Sequence, residues 1–165
     1  INSNKYNEWA LDDLLKNYYV ALVTLIVRRT AFEKLSYLCN ERFHIISDFD
    51  LVIRLAACSK LGFVSQPIAI LRLHEFNETV LNMEQHFDEI EIWLEWAENN
   101  INLSSSGGLV YRKYWYRYVQ AIYKILSYDR RNAYKLFRKL PWCKWKLRLL
   151  IALMLPVNIV RFLKN

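Results

Sequence analysis

The sequence predicts an α/β domain followed by an all-helical tail, and three observations lead to that prediction. The run Val20–Val27 is short, apolar and largely β-branched, as buried strands are. Helical patterns with capping residues flank it in the first half of the chain. Beyond residue 80 every segment has helical periodicity. The predicted domains are residues 1–80 and 81–165.

The first domain is expected to alternate helices with extended segments. Thr30 and Ser47 each precede an acidic residue by three positions, which is typical of helix N-termini. Pro67 breaks an extended segment, because proline lacks the amide hydrogen that a strand ladder needs. Besides the strand, helices are predicted at residues 8–16, 30–38 and 48–61, and an extended segment at Phe63–Leu73.

The second domain is expected to be helical throughout, with a kink near Pro156. The run Ser104–Gly108 is the one candidate for a flexible linker. The predicted helices are Val80–Asn99, Leu109–Tyr128, Arg130–Leu140 and Lys144–Lys164.

The charge distribution divides the chain. The whole sequence has 23 Lys and Arg against 16 Asp and Glu, but residues 101–165 hold 14 of the basic residues and one acid, Asp129. That segment has a formal net charge of +13, residues 1–100 have −6, and 12 of the 25 aromatic residues lie in the basic segment. A basic, aromatic segment is typical of binding to nucleic acid, to an anionic membrane or to an acidic partner.

Composition excludes several classes of protein. With 3 Gly and 3 Pro, the chain is not disordered, collagen-like or rich in linkers. Its three scattered cysteines (Cys39, Cys58 and Cys143) argue against a disulfide framework or a zinc site and indicate a reducing compartment. The chain begins at Ile1 without a signal-peptide pattern, which suggests a piece of a longer protein.

The C-terminal segment Lys146–Lys164 favours contact with a membrane surface. Its apolar run Leu149–Val157 has nine residues, fewer than the ~20 that span a bilayer. Basic residues flank both ends, and Trp142 and Trp145 lie just outside, as in helices that lie in the membrane interface. The alternative is a helix that packs on its neighbours with its basic side chains solvated.

Few residues could carry chemistry, because glycine-rich phosphate loops and serine elbows are absent. The acidic pair Asp48 and Asp50 opens a predicted helix, and Arg72 and His74 follow 24 and 26 residues after Asp48. Stabilisation of negative charge at a helix N-terminus would by itself explain the pair. The same location lowers a carboxylate's pKa, so a role as general base needs burial or desolvation by substrate. Arg54 is predicted to be a structural partner of a nearby carboxylate.

Two stretches resemble the second half of family 2 glycosyltransferases. These are FHIISDFDLVIRLA at 43–56 and GFVSQPIAILRLH at 62–74, in the order and spacing of that family, and Asn-Glu-Thr at 77–79 and the segment 17–33 also match. The resemblance covers about residues 8–80. It implies that these residues are the acceptor-side part of a GT-A, Rossmann-like domain.

The resemblance also implies roles for individual residues. Asp48 occupies the position of the catalytic base, although Ser47 stands where many members have glutamate. Asp50 and Arg72 are expected near the acceptor or the donor diphosphate. His74 is expected to approach the metal or diphosphate; otherwise it is a hydrogen-bonded histidine at a strand end.

The resemblance implies transfer of a sugar from a nucleotide-sugar donor to a glycan or lipid-linked acceptor, supported by Mg²⁺ or Mn²⁺. The donor site lies in the family's N-terminal half, which is not in this chain, so the chain alone is expected to be inactive. The expected location is the inner face of the cell membrane, with an anionic surface as partner and no nucleic acid. The alternatives are a non-enzymatic helical module that binds membranes or partners, and a nucleic-acid-binding protein that uses the basic tail.

Overall fold

The computed structural model describes residues 10–62, 64, 66–70 and 81–164, and within these residues it contains helices and no strand. The α-helices of this part of the chain are α1 (Ala10–Lys16), α2 (Arg29–Phe32), α3 (Ser47–Cys58), α4 (Met83–Glu98), α5 (Ile101–Ser104), α6 (Gly107–Leu126), α7 (Arg130–Lys139), α8 (Lys144–Met154) and α9 (Val157–Lys164). A 3-10 turn covers Leu22–Thr24. None of the described helices is both long enough and apolar enough to cross a bilayer.

The chain forms two compact units, unit 1 (Ile1–Leu109) and unit 2 (Val110–Asn165). The boundary lies close to the change in charge along the sequence, whereas the predicted domain boundary lies at residue 80. In unit 1, α1 and α2 both pack against α3. Its buried side chains include Leu14, Leu15, Phe49, Ile53, Phe87 and Trp93.

The prediction of an α/β first half is wrong for the described residues. The run predicted as a buried strand, Val20–Val27, forms the 3-10 turn with extended residues on either side. Its side chains are not covered: Ile26 is 89% exposed and Val23 65% exposed. A strand needs a neighbour with which to exchange backbone hydrogen bonds, and the described residues supply none. Instead Thr24 Oγ1 donates locally to the carbonyl of Ala21 at 2.8 Å.

The predicted extended segment Phe63–Leu73 can be compared only in part. Residues 64 and 66–70 have no regular secondary structure. Phe63, Ser65 and residues 71–73 lie outside the described residues.

The two helices that capping patterns predicted begin within one residue of the predicted starts, but neither has the predicted side-chain cap. Helix α2 begins after Arg28 and ends at Phe32, earlier than predicted, and Thr30 is not its N-cap. Helix α3 begins at Ser47, and neither Ser47 nor the preceding Ile46 makes a side-chain cap. The hydroxyl of Ser47 donates backwards to the carbonyl of His44 at 3.4 Å. The amides before α3 are instead satisfied by a residue of another helix.

The predicted linker Ser104–Gly108 is held by Asp12 of α1. The hydroxyl of Ser106 donates to the Asp12 carboxylate, and the amide of Gly108 donates to it at 3.2 Å. The Ser106 hydrogen bond, followed by those from Gly108 and Lys16, keeps the pKa of Asp12 below its usual value despite some burial. A Cβ at Gly108 would lie 2.8 Å from the backbone oxygen of Asp12, so only glycine allows this close approach.

The helices predicted beyond residue 80 are confirmed to within a few residues, except that the last one divides. Leu155 and Pro156 separate α8 from α9. The Arg130 guanidinium donates to the carbonyls of Leu153 and Leu155, which satisfies acceptors left open where α8 ends. Unit 2 has its own apolar core, formed by Ala121, Ile125, Ala133, Leu140, Leu149, Ala152, Val157 and Val160.

Candidate functional site

Helix α3, which carries the acidic pair, is fixed at its N-terminus by Glu89 of α4. The buried Glu89 carboxylate accepts the amides of His44, Ile45 and Ile46 at 3.1, 2.9 and 3.1 Å. Gln85 Nε2 donates to the same carboxylate at 2.8 Å. Burial alone would raise the pKa of Glu89, but the donors together hold it below its usual value. The Glu89 carboxylate of α4 therefore satisfies the amides of the turn that leads into α3, whereas Ser47 was predicted to cap amides of the helix itself.

Asp50, the second member of the pair, lies in the core. It is 1% exposed, and its Oδ2 accepts Arg54 Nε at 2.9 Å and Nη2 at 2.8 Å. Trp93 Nε1 of α4 donates to the other oxygen, Oδ1, at 3.1 Å. Arg54 also donates to the carbonyls of Tyr37 and Leu38 at 2.6 and 2.9 Å. The predicted structural role of Arg54 is thus confirmed, and both oxygens of Asp50 are already engaged.

Asp48 differs from Asp50 because its side chain is only half-buried. Its Oδ1 accepts the amide of Phe49 at 2.6 Å. The carboxylate therefore stands at the N-terminus of a helix whose position is set by Glu89 at its start and by Asp50 on its buried side.

Tyr18 is a neighbour of Asp48 that the sequence analysis did not single out. Its ring packs edge-on against Phe49, with centroids 5.1 Å apart. Its hydroxyl oxygen is buried and has no hydrogen-bond partner among the described residues. Burial and, to a lesser degree, the charge of Asp48 raise the pKa of Tyr18 well above its usual value, so the phenol stays protonated.

The other predicted site residues, Arg72 and His74, lie outside the described residues. Among the described ones, no three or more His, Cys, Asp or Glu side chains are grouped so that they could hold a metal ion.

Unit 2 carries a second candidate surface, the apolar face of α8 and α9. On α8, Leu147, Ile151 and Met154 follow one another at helical spacing and are all exposed, Met154 to 79%. On α9, Phe162 is 80% exposed, and Leu163 beside it is also exposed. An exposed apolar row of this length, rimmed by charge, is typical of an interaction site rather than of scattered surface residues.

Basic side chains lie over aromatic rings beside this apolar face. Lys144 Nζ and the Arg148 guanidinium lie 4.7 and 5.4 Å from the Trp145 ring centroid. Lys146 Nζ lies 5.1 Å from the ring of Trp142, which is 80% exposed. The one acid of unit 2, Asp129, caps α7 through the amide of Asn132 at 3.2 Å.

A groove of about 370 Å³ opens in unit 2 between α6, α8 and α9. The residues that line it have aliphatic side chains except for Tyr118 and Arg148. The lining residues are Tyr118, Ile122, Arg148, Ile151, Ala152, Leu155, Val160 and Leu163.

Sequence reasoning missed Glu89, Tyr18 and Trp93 because each acts on α3 from far along the chain. The acidic pair was visible as a local motif. Glu89 accepts the amide of Ile46 from 43 residues further along the chain, and no local pattern marks a contact of that range. A buried tryptophan usually has a hydrogen-bond acceptor for its indole N–H, but the sequence does not show which residue supplies it. No protein-family model, curated protein or solved structure matches the chain.

Proposed function

We propose that this chain takes part in sugar transfer and that Asp48 is the general base that activates the acceptor hydroxyl. One observation supports this assignment above others. Asp50 is enclosed by Arg54 and Trp93, whereas Asp48 is only half-buried and lies on a helix that is held from two sides. The similarity of residues 43–56 and 62–74 to family 2 glycosyltransferases supplies the reaction class.

In this reaction the Asp48 carboxylate takes the proton of the acceptor hydroxyl as its oxygen bonds to the anomeric carbon. The bond from that carbon to the donor diphosphate breaks, and the nucleoside diphosphate leaves with the electron pair. An acceptor that covers Asp48 would exclude water from the carboxylate. Within this proposal, the nucleotide-sugar and its divalent metal are bound by residues other than those described.

The test is substitution of Asp48 in the protein that contains this chain. Release of nucleoside diphosphate from UDP- and GDP-sugars would be measured with Mn²⁺ and a glycan acceptor. We expect Asp48→Asn to lower the rate by about 10²–10⁴-fold, the usual contribution of a positioned base. Thermal unfolding should be nearly unchanged, because the Asp48 side chain is only half-buried. Asp13→Asn, which neutralises an exposed acid of α1, is the matched control and should keep the rate.

Two results would contradict the proposal. One is a protein that turns over none of these donors. The other is an Asp48→Asn variant that is as active as Asp13→Asn.

A second candidate function, binding to an anionic membrane surface, is favoured by the apolar face of unit 2. Unit 2 holds 14 basic residues and one acid, so its basic side chains far exceed what its own acid can pair. Each Lys or Arg near an anionic leaflet contributes about 1 kcal/mol, and each apolar side chain that enters the bilayer adds about 1.5–3 kcal/mol. The electrostatic and the apolar contributions to membrane affinity add when both kinds of side chain meet the same bilayer.

Sedimentation with vesicles tests this second function. We expect the chain to bind vesicles of phosphatidylglycerol and phosphatidylcholine far better than vesicles of phosphatidylcholine alone. The double variant Met154→Asn, Phe162→Asn should weaken binding at least about tenfold, since each side chain alone is worth about that factor. Ile26→Asn removes an equally exposed apolar side chain from unit 1 and serves as the control. Equal losses in the two variants would contradict a specific role for the apolar face.

A further inference from the structure

We propose that the groove of unit 2 holds one hydrocarbon chain of an anionic phospholipid, with the lipid phosphate at Arg148. The inference rests on the proposed binding to membranes and names a lipid site within that surface. The groove's volume of about 370 Å³ lies in the range of small-ligand sites, which are mostly apolar with a few polar groups that set orientation.

The lining matches the two parts of a phospholipid. Ile122, Leu155 and Val160 are aliphatic, as a hydrocarbon chain requires. Arg148 supplies the cation, and it makes no hydrogen bond or ion pair with the described residues. A guanidinium can give a phosphate two parallel hydrogen bonds. The contact of Arg148 with the Trp145 ring leaves the N–H groups of the guanidinium available to a phosphate.

Charge and position both favour a lipid as the occupant. Asp129, the one acid in unit 2, is hydrogen-bonded to Asn132, whose side-chain amide donates to it at 2.7 Å, so unit 2 has no other carboxylate of its own to offer Arg148. Ile151 and Leu163 line the groove and also belong to the apolar face. A lipid that leaves the bilayer at this face can therefore enter the groove without crossing polar surface.

A water-soluble lipid tests the groove separately from vesicle binding. The probe is dihexanoyl phosphatidylglycerol below its micelle concentration, titrated into the full chain by calorimetry. Dihexanoyl phosphatidylcholine and inorganic phosphate are the comparison ligands. We expect saturable binding of one phosphatidylglycerol per chain, and binding at least tenfold weaker for either comparison ligand. Inorganic phosphate lacks the hydrocarbon chain, and phosphatidylcholine carries a choline cation that offsets the charge of its phosphate.

Two variants locate the site. Arg148→Gln should weaken phosphatidylglycerol binding about tenfold, whereas Lys139→Gln, an equal charge change at an exposed base of α7, should weaken it less than twofold. Ile151→Trp fills the groove but keeps the apolar face, so it should lose the soluble lipid and still sediment with anionic vesicles. Leu155→Trp provides a second filled groove if Ile151→Trp does not fold.

The outcomes separate this inference from the proposed function. If the chain binds vesicles but not the soluble lipid, the lipid site in the groove is contradicted and the proposed membrane binding stands. If the chain binds neither, both proposals are contradicted. Equal effects of Arg148→Gln and Lys139→Gln would mean that diffuse charge holds the lipid, which overturns the site. Phosphate binding as tight as that of phosphatidylglycerol would overturn the role of the hydrocarbon chain.

Discussion

The buried pair of Asp50 and Arg54 organises unit 1 at the scale of single residues. Removing two charges from water is costly, and such a pair is tolerated only when further hydrogen bonds complete it. Here the indole N–H of Trp93 donates a further hydrogen bond to Asp50, and the carbonyls of Tyr37 and Leu38 accept hydrogen bonds from Arg54. The pair thereby joins α3, α4 and the segment after α2.

We expect Arg54→Ala to lower the free energy of unfolding by about 3–5 kcal/mol, because Asp50 would be left charged and buried without its cation. Urea denaturation measures the change. Arg29→Ala removes an exposed ion pair with Glu33 at 3.8 Å and should cost less than about 1 kcal/mol. Similar losses in the two variants would show that the buried network does not hold α3.

Glu89 should make unit 1 sensitive to acid. Its pKa is lower in the folded chain than in the unfolded chain, so its stabilising contribution is complete above the unfolded pKa. The contribution is lost as pH falls through the folded pKa. The difference in unfolding free energy between the wild-type chain and Glu89→Gln should therefore be constant near neutral pH and shrink as pH falls below the usual pKa of a glutamate. Denaturation of both at a series of pH values measures it, and a constant difference would contradict the capping role.

At the scale of elements, the helix ends are set by different means. The Glu89 carboxylate of α4 accepts the amide of Ile46 just before α3. The Arg130 guanidinium of α7 donates to the carbonyl of Leu153 where α8 ends. Helix α6 ends locally, where the amides of Tyr128 and Asp129 bond to the carbonyls of Ile125 and Lys124 at 3.0 and 2.8 Å. This is the Schellman arrangement, and it requires a left-handed residue.

The left-handed residue is Tyr128, with φ of 62°. A side chain in that conformation costs about 1–2 kcal/mol, which glycine avoids. We expect Tyr128→Gly to stabilise the chain by up to about 1 kcal/mol, because the greater freedom of glycine in the unfolded chain offsets part of the gain. Thermal unfolding checks this, with Tyr128→Ala as the control that keeps the strain. Stabilisation by alanine as large as that by glycine would contradict the explanation.

At the scale of the whole molecule, opposite charges are segregated into the two units. The 14 basic residues of unit 2 repel one another, and added salt screens such repulsion. The Debye length falls from about 30 Å at 0.01 M to about 8 Å at 0.15 M.

Raising NaCl from 10 to 150 mM should therefore raise the unfolding temperature of the chain. Lys139→Glu, which lowers the charge of unit 2 at an exposed position, should raise it at low salt and reduce its dependence on salt. Calorimetry at both salt concentrations measures the two effects. A lower unfolding temperature at 150 mM would contradict net repulsion.

The sequence by itself determined the features that depend on near neighbours in the chain. Helical periodicity placed α4, α6 and α7 to within a few residues, because this signal acts over one or two turns. It predicted one helix over Lys144–Lys164 with a kink near Pro156, where the structure has α8 and α9. The sequence also showed the division of charge and the acidic pair. It predicted that Arg54 is a structural partner of a nearby carboxylate.

Only the tertiary structure decided which residues are buried and what each polar group meets. Val20–Val27 has the composition of a strand, but a strand exists only through a neighbour, and the described residues bring none to it. The two acids of one short motif were alike in sequence, yet packing put Asp50 under Trp93 and left Asp48 only half-buried. Glu89 caps α3 across 43 residues of chain. Contacts of that range depend on how the helices pack, and no local pattern encodes them.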